Sequence, residues 1–150
     1  MLAAMLALIQ RVTHARVSVD GEVVGAIGAG LLALVGVEPD DGRQQVDRMA
    51  RRLLGYRVFA DDAGRMNLGL SDAGGQLLLV SQFTLAADTR SGMRPGFSTA
   101  APPGQAEPIF NDLVAICRQL HPPGVEMGRF GAHMVVDLAN DGPVTFLLRA

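Results

Sequence analysis

The sequence predicts an α+β fold in one domain, a curved, barrel-like mixed β-sheet packed against two main helices. Two observations lead there. Most apolar runs are short and either continuous or alternating, as strands are, and they are bounded by Gly, Pro and Asp. Only two stretches carry the three-and-four spacing of an amphipathic helix, and they lie far apart, so no regular βαβ alternation forms. At 150 residues and 49% hydrophobic content, without a linker-like tract, the chain suits one core spanning residues 1–150.

In chain order, Leu6 to Val12 reads as a strand, and Val17-Ser18-Val19 continues the pattern to Asp20-Gly21, a dipeptide suited to the positive-φ positions of a hairpin turn. Glu22 to Ile27 returns. Gly28 and Gly30 read as a turn: a third glycine is missing, and a strand, not a helix, follows, so a dinucleotide loop does not fit. Leu31 to Val37 is a continuous apolar run, as expected of a strand covered on both faces. The spacing of Val46, Met49, Ala50, Leu53 and Leu54 predicts the first helix, closed by Gly55; its other face carries Arg43, Arg48, Arg51 and Arg52 and reads as solvated, because Asp47 is interleaved and no aromatics accompany the arginines.

Tyr56 to Phe59 is a short strand candidate, Asp61 to Gly64 a turn, and Arg65 to Ser71 has no assignable pattern. Leu77-Leu78-Leu79-Val80 forms the heart of a buried strand from Gln76 to Gln82. Pro102-Pro103 opens the second helix, whose apolar face comprises Ala106, Ile109, Phe110, Leu113, Val114, Ile116, Cys117 and Leu120, and His121-Pro122-Pro123-Gly124 stops it. Val125 to Met127, His133 to Leu138 and Val144 to Leu148 read as the last strands.

Composition excludes rather little. The formal charge of −2 gives no global reason to infer nucleic acid, and leaves room for a local basic face. All 13 basic residues are arginines, so any anion contact is made by planar guanidinium groups. The lone Cys117 allows no intrachain disulfide and sits on an apolar helix face, where a core thiol is expected; a cytoplasmic protein follows. The apolar opening, Met1 to Ile9, lacks a basic n-region and is short of the roughly 20 residues of a membrane span, so it reads as an early strand, with residues 1–4 as a candidate extension before a start at Met5. His14, His121 and His133 are scattered and no Cys or carboxylate stands at ligand spacing, so neither metal nor cofactor is expected.

Chemistry is expected at two places. Ser81-Gln82-Phe83-Thr84-Leu85 ends the buried strand, where backbone N–H groups, an amide and hydroxyls converge as a developing oxyanion would require, and Asp88, Arg90 and Arg94 follow at the same end. Asn140-Asp141-Gly142-Pro143 lies between two apolar runs. Proline is poorly tolerated in a ladder, so Gly142-Pro143 marks either a plain turn or a special corner with a cis peptide. No Gly-x-Ser-x-Gly elbow is present for a serine hydrolase.

Ala7-Leu8-Ile9-Gln10-Arg11-Val12, Ser81 to Leu85 and Asn140 to Thr145, together with Gly64-Arg65-Met66-Asn67-Leu68 and Arg94-Pro95-x-Phe97-Ser98, resemble the D-aminoacyl-tRNA deacylase family over residues 5 to 148, in the family's order. The resemblance implies a cytoplasmic homodimer that hydrolyses the ester of D-aminoacyl-tRNA, and of glycine mischarged on tRNA(Ala), with no DNA or membrane partner. It implies that Gly142 and Pro143, joined by a cis peptide, enter the partner's site and exclude L-substrates. It implies that Ser81, Gln82, Phe83 and Thr84 form the catalytic strand end, and that Arg11 and Thr145 support the Gly-Pro corner. Ala86, Ser91 and Gly96 depart from a common tyrosine, basic residue and serine, which points to a moderate salt dependence of binding. Competing readings are a non-catalytic RNA-binding or dimerisation module of the same fold, and an esterase using Thr84 covalently.

Overall fold

A computed structural model describes residues 4–150. Part of the expected extension, residues 1–3, lies outside them; Ala4 donates its N–H to Glu38 Oε1 at 3.1 Å, and Met5 is fully buried.

Strand β1 (Leu6–Val19) is the spine. One of its edges is shared: β3 (Gly30–Gly36) pairs antiparallel with Leu6 to Val12, and β2 (Glu22–Ile27) with Ala15 to Val19, after the tight turn in which Asp20 has φ +52° and Gly21 +79°. Helix α1 (Arg43–Gly55) follows, its first N–H bonds secured by the Gln45 amide accepting from Gly42 N–H at 2.9 Å. A small hairpin of β4 (Phe59–Ala60) and β5 (Met66–Leu68) comes next, then a single turn of helix, α2 (Leu70–Ala73). Strand β6 (Gln76–Ser81) runs parallel to β3, and beyond a 3-10 turn (Phe83–Ala86) and a long loop comes α3 (Pro103–Leu120). Strand β7 (Val125–Met127) pairs parallel with β6, and β8 (Val135–Arg149) covers the other edge of β1 along nearly its whole length.

The six strands coil into a nearly closed, barrel-like mixed sheet with order β2-β1-β3-β6-β7 and β8 outside β1. Successive side chains of β3 and β6 point to opposite faces, and both faces are dry. Leu31, Ala33, Val35, Leu77 and Leu79 pack under α1 and α3, with Val46, Met49, Leu53, Phe110, Leu113 and Cys117 supplied by the helices. Leu32, Leu78 and Val80 face the barrel interior with Val12, Ala15, Val17 and Ile27. The five apolar residues predicted for α1 are its buried ones. In α3, Leu120 departs from the predicted face and is 53% exposed, because the helix ends there. Burial pushes the Cys117 thiol up to about 12, as befits a core thiol that does no nucleophilic chemistry.

Four further expectations need correction. The strand expected at Tyr56 to Phe59 is confined to Phe59–Ala60, and its partner, Met66–Leu68, arises in the stretch without periodicity; a hairpin this small buries too little for a pattern. Gly30 belongs to β3 rather than to a turn. His133 precedes β8, which begins at Val135. The two strands expected on either side of Gly142-Pro143 are one, because Asn140 and Thr145 stay in register with Val12 and Gln10 while the residues between them leave the ladder.

Asp41, just before α1, is 6% exposed; its Oδ2 accepts from Glu38 N–H at 2.8 Å, while its Oδ1 is buried without a partner. Burial raises its carboxyl to about 6. A carboxyl whose folded pKa exceeds its unfolded value binds more protons when folded, so its contribution to stability is greatest below pH 4 and declines as pH rises to 6. Asp41→Asn, which keeps an acceptor for Glu38 N–H, is expected to remove that decline, about 2 kcal/mol. The check is the difference in melting temperature between variant and wild type from pH 4 to pH 7; a difference that does not change with pH rejects the assignment.

Candidate functional site

The strand end behaves as the apolar run of β6 dictates. Ser81 is the last paired residue, opposite Val35, and Gln82 N–H still reaches Val35 O at 2.8 Å. The chain then tightens: Leu85 N–H bonds Gln82 O at 3.1 Å and Ala87 N–H bonds Thr84 O at 3.2 Å. A 3-10 turn leaves its first N–H groups without an internal acceptor. Accordingly, no protein acceptor meets Phe83 N–H or Thr84 N–H among the described residues. The Gln82 Nε2 donates to Thr84 Oγ1, which uses one of its two hydrogens and fixes both side chains on the turn.

Beside this turn opens a cleft of about 650 Å³. Ser81, Gln82 and Phe83 form one wall, and the start of α3 from Pro102 to Ala106 forms another. The floor is apolar, with Val80, Phe130, Met134 and Val136, and the rings of Phe83 and Phe97 meet at its edge with centroids 5.3 Å apart. Thr84 is exposed and lies outside the lining. Several of these residues carry no sequence signal: Phe130 sits in an irregular connection, and His133, read as structural or surface, is exposed but lines the cleft. Phe97 stood in a motif-bearing stretch, yet nothing in spacing tied it to Phe83. A cleft of this size with a mostly apolar lining and a few convergent polar groups has the form of a small-molecule site.

The loop after the turn is less charged than its sequence suggests. Arg90 clamps Asp88 with Nε to Oδ1 at 2.9 Å and Nη2 to Oδ2 at 3.0 Å, and these bonds hold the Asp88 carboxyl down to about 2. Arg94 is left as the loop's exposed cation without an ion pair among the described residues.

Around Gly142-Pro143 the ladder opens on one side only. Arg11 is the sole β1 residue opposite the segment between Asn140 and Thr145, so four residues of β8 bulge against one. The Gly142-Pro143 peptide is cis, and Gly142 has φ +128°, a backbone that L side chains avoid. Both residues are exposed. Two side chains brace the bulge. Arg11 donates Nε to Asp141 O at 3.1 Å and Nη1 to Val58 O at 2.8 Å, with Asp141 Oδ2 at 3.5 Å. Asn140 spans its base, accepting from Val144 N–H at 3.0 Å and donating to Thr145 Oγ1 at 2.8 Å. Asn140 was legible only as part of a motif; its clamp requires the bulge to be known.

The structure does not bring the two places together within one chain. Ser81 aligns through Val35 and Ala7 with Leu148, so β3 and β1 intervene, about 14 Å of sheet at ~4.8 Å per strand. The histidines are dispersed: His14 is an exposed residue of β1, and His121 is buried with Nε2 2.6 Å from Gly75 O. Among the described residues no three His, Cys, Asp or Glu stand together as metal ligands, and no helix is long and apolar enough to cross a membrane.

Residues 8–149 match the family model of D-Tyr-tRNA(Tyr) deacylase. A D-aminoacyl-tRNA deacylase of Xanthomonas euvesicatoria pv. vesicatoria is 74% identical over 145 residues, covering 97% of this chain and 99% of its own. One from Stenotrophomonas maltophilia strain R551-3 is 72% identical at the same coverage. Among solved structures, the c-Myc DNA unwinding element binding protein superimposes with a TM-score of 0.92 at 39% identity, covering 97% of this chain and 98% of that one. A structure described as a probable eukaryotic D-amino acid tRNA deacylase, 13% identical, superimposes at 0.88 over 98% of this chain and all of its own, which shows a shared fold.

Proposed function

The chain belongs to the D-Tyr-tRNA(Tyr) deacylase family, and on that premise we propose that it hydrolyses the ester joining a D-amino acid to the terminal ribose of tRNA. The products are the free D-amino acid and reusable tRNA. The observation that carries this reading is the pair of unpartnered N–H groups, Phe83 and Thr84, at the edge of a largely apolar cleft. Attack on the ester carbonyl turns its oxygen into an oxyanion, and two preorganised donors beside a dry wall stabilise that charge, each worth roughly 3 kcal/mol in comparable oxyanion holes. The second hydrogen of the Gln82 amide adds a third donor, and Ser81 holds the wall. Water is the nucleophile, helped by the neighbouring ribose hydroxyl, because among the described residues the Thr84 hydroxyl pairs with the Gln82 amide and not with a base; it positions that amide. The ester C–O bond breaks, and the ribose oxygen leaves with a proton.

Selectivity is assigned to Gly142 and Pro143 of a second copy. The exposed bulge, braced by Arg11 and by Asn140 with Thr145, is separated from its own cleft by β3 and β1, which favours a homodimer in which it enters the partner's site. Its carbonyls then crowd the substrate α-carbon on the side where an L side chain would project. Hydrogen fits there, so D-amino acids pass and L-amino acids clash, a choice made by exclusion. Glycine, including glycine mischarged on tRNA(Ala), passes for the same reason. The setting is cytoplasmic.

The test is hydrolysis of matched D- and L-tyrosyl-tRNA by the purified protein. The D-ester is expected to be cleaved at least a hundredfold faster than the L-ester, and Thr84→Ala to retain turnover within about tenfold. A folded dimer that cleaves neither ester would sink the enzyme reading and favour a binding module. Loss of turnover in Thr84→Ala with normal tRNA binding would instead make Thr84 the nucleophile.

A further inference from the structure

The fold gives the arginines of α1 a setting that their spacing did not suggest. Among the described residues, Arg43 is the one arginine of this helix with an ion pair, to Asp47 at 3.0 Å. From Arg48 to Ala60 the sequence contains no acid, and Arg48, Arg51 and Arg57 are exposed without an ion pair among the described residues. Arg52 lies over the Tyr56 ring, 5.3 Å from its centroid, and its Nε is buried without an acceptor. A guanidinium held on an aromatic face, with an unused donor, is positioned rather than merely solvated.

This basic surface adjoins the Gly142-Pro143 bulge. Tyr56 meets Phe146 of β8 edge to face at 5.8 Å, and the single Arg11 guanidinium joins Val58 O, two residues beyond Tyr56, to Asp141 O in the bulge. The end of α1 and the bulge are therefore tied to each other by a ring contact and a shared guanidinium.

We propose that Arg48, Arg51 and Arg57, with Arg52 behind them, form a docking surface for the phosphate backbone of the RNA whose ester is being cleaved. This inference rests on the hydrolase reading above. If the bulge reaches into the partner's cleft, the α1 surface beside it lies at the mouth of that cleft, where the acceptor stem leads in. Arginine forks match phosphate oxygens, and the contacts are to backbone, so they are independent of RNA sequence. With three or four such contacts the salt slope is moderate, in keeping with a chain whose overall charge is −2.

The test compares wild type with the double variant Arg48→Gln and Arg51→Gln, using Arg16→Gln, further along the β1–β8 ladder from the bulge and paired with Asp137, as the charge control. Binding of uncharged labelled tRNA is measured by anisotropy between about 50 and about 200 mM salt. The double variant is expected to bind about tenfold more weakly at the lower salt, with a log–log salt slope flatter by about 1.5, and Arg16→Gln to match wild type. In turnover of D-tyrosyl-tRNA the double variant shows a raised KM with kcat within twofold. Unchanged affinity and slope, or an equal loss in Arg16→Gln, overturns the proposal. Because binding is read without turnover, a failure of the docking surface is distinguishable from a failure of the deacylase reading, in which wild type binds tRNA but cleaves nothing.

Discussion

Gly142→Ala is expected to lower kcat/KM for a D-aminoacyl-tRNA by about 10²- to 10³-fold while leaving the melting temperature within a few degrees. The reason is local geometry. At φ +128° a β-carbon is strained whatever the space, and here it would lie 2.7 Å from Val144 Cγ2 and 3.1 Å from both Arg11 Nη2 and Val144 N. Neither neighbour yields freely. Arg11 is fixed by Asp141 O and Val58 O, and Val144 N–H is held by the Asn140 side chain. The bulge itself must shift, and a displacement near 1 Å in a group that positions substrate costs on the order of a hundredfold. The same shift enlarges the space opposite the α-carbon, so the ratio of D- to L-ester cleavage falls together with the rate. Stability changes little because the bulge is exposed and lies outside the ladder. Steady-state kinetics on both esters, with a thermal melt alongside, make the check. A variant within threefold of wild type on the D-ester, with selectivity intact, would remove Gly142 from the selectivity device.

How far the sequence disclosed this arrangement depended on whether a local pattern carried the information. The two long helices, α1 and α3, and the strands of the core were legible because a buried face imposes a period, as in Val46, Met49, Ala50, Leu53 and Leu54, or a continuous run, as in Leu77 to Val80, whereas the single turn α2 was not. The Gly-Pro corner was legible as an oddity, since proline cannot serve a ladder. What remained hidden was relational. That β8 continues through Gly142-Pro143 follows from its pairing with β1 on both sides, which no window of β8 contains. The cleft joins residues from β6, the start of α3 and the stretch before β8, and His133 and Phe130 reach it from irregular chain. The apparent charge of the Asp88 loop disappears once Arg90 closes on Asp88, whereas the arginines of α1 gain meaning only when Tyr56 and Arg11 tie that helix to the bulge. Charge and periodicity are read from one segment; sites are made from several.

Gly30→Ala is expected to cost at least about 3 kcal/mol, a fall in melting temperature of roughly 10 °C for a chain of this size, and to reduce the yield of folded protein. Its φ does not demand glycine; the neighbouring strand does. Gly30 opens β3 opposite Gln76, the first residue of β6, and a β-carbon there would stand 1.9 Å from Gln76 O and 2.7 Å from Gln76 N. Backbone cannot step aside as a flexible side chain can. Gln76 is itself anchored, its N–H to Ala29 O at 3.1 Å and its side-chain Oε1 to Gly28 N–H at 3.0 Å, and Leu77 N–H reaches Gly124 O at 3.0 Å. Separating β3 from β6 at this point disturbs the parallel ladder whose far end, Val35 opposite Ser81, delivers Gln82 and Phe83 to the cleft and places Thr84 beside it. The variant therefore discriminates between two pictures of the site. If the strand end is held by the ladder, loss of stability and loss of activity appear together, and both recover partially at lower temperature. If Gly30→Ala melts within about 2 °C of wild type, the two strands do not approach this closely, and the registration of the Phe83–Ala86 turn by β3 must be abandoned with it.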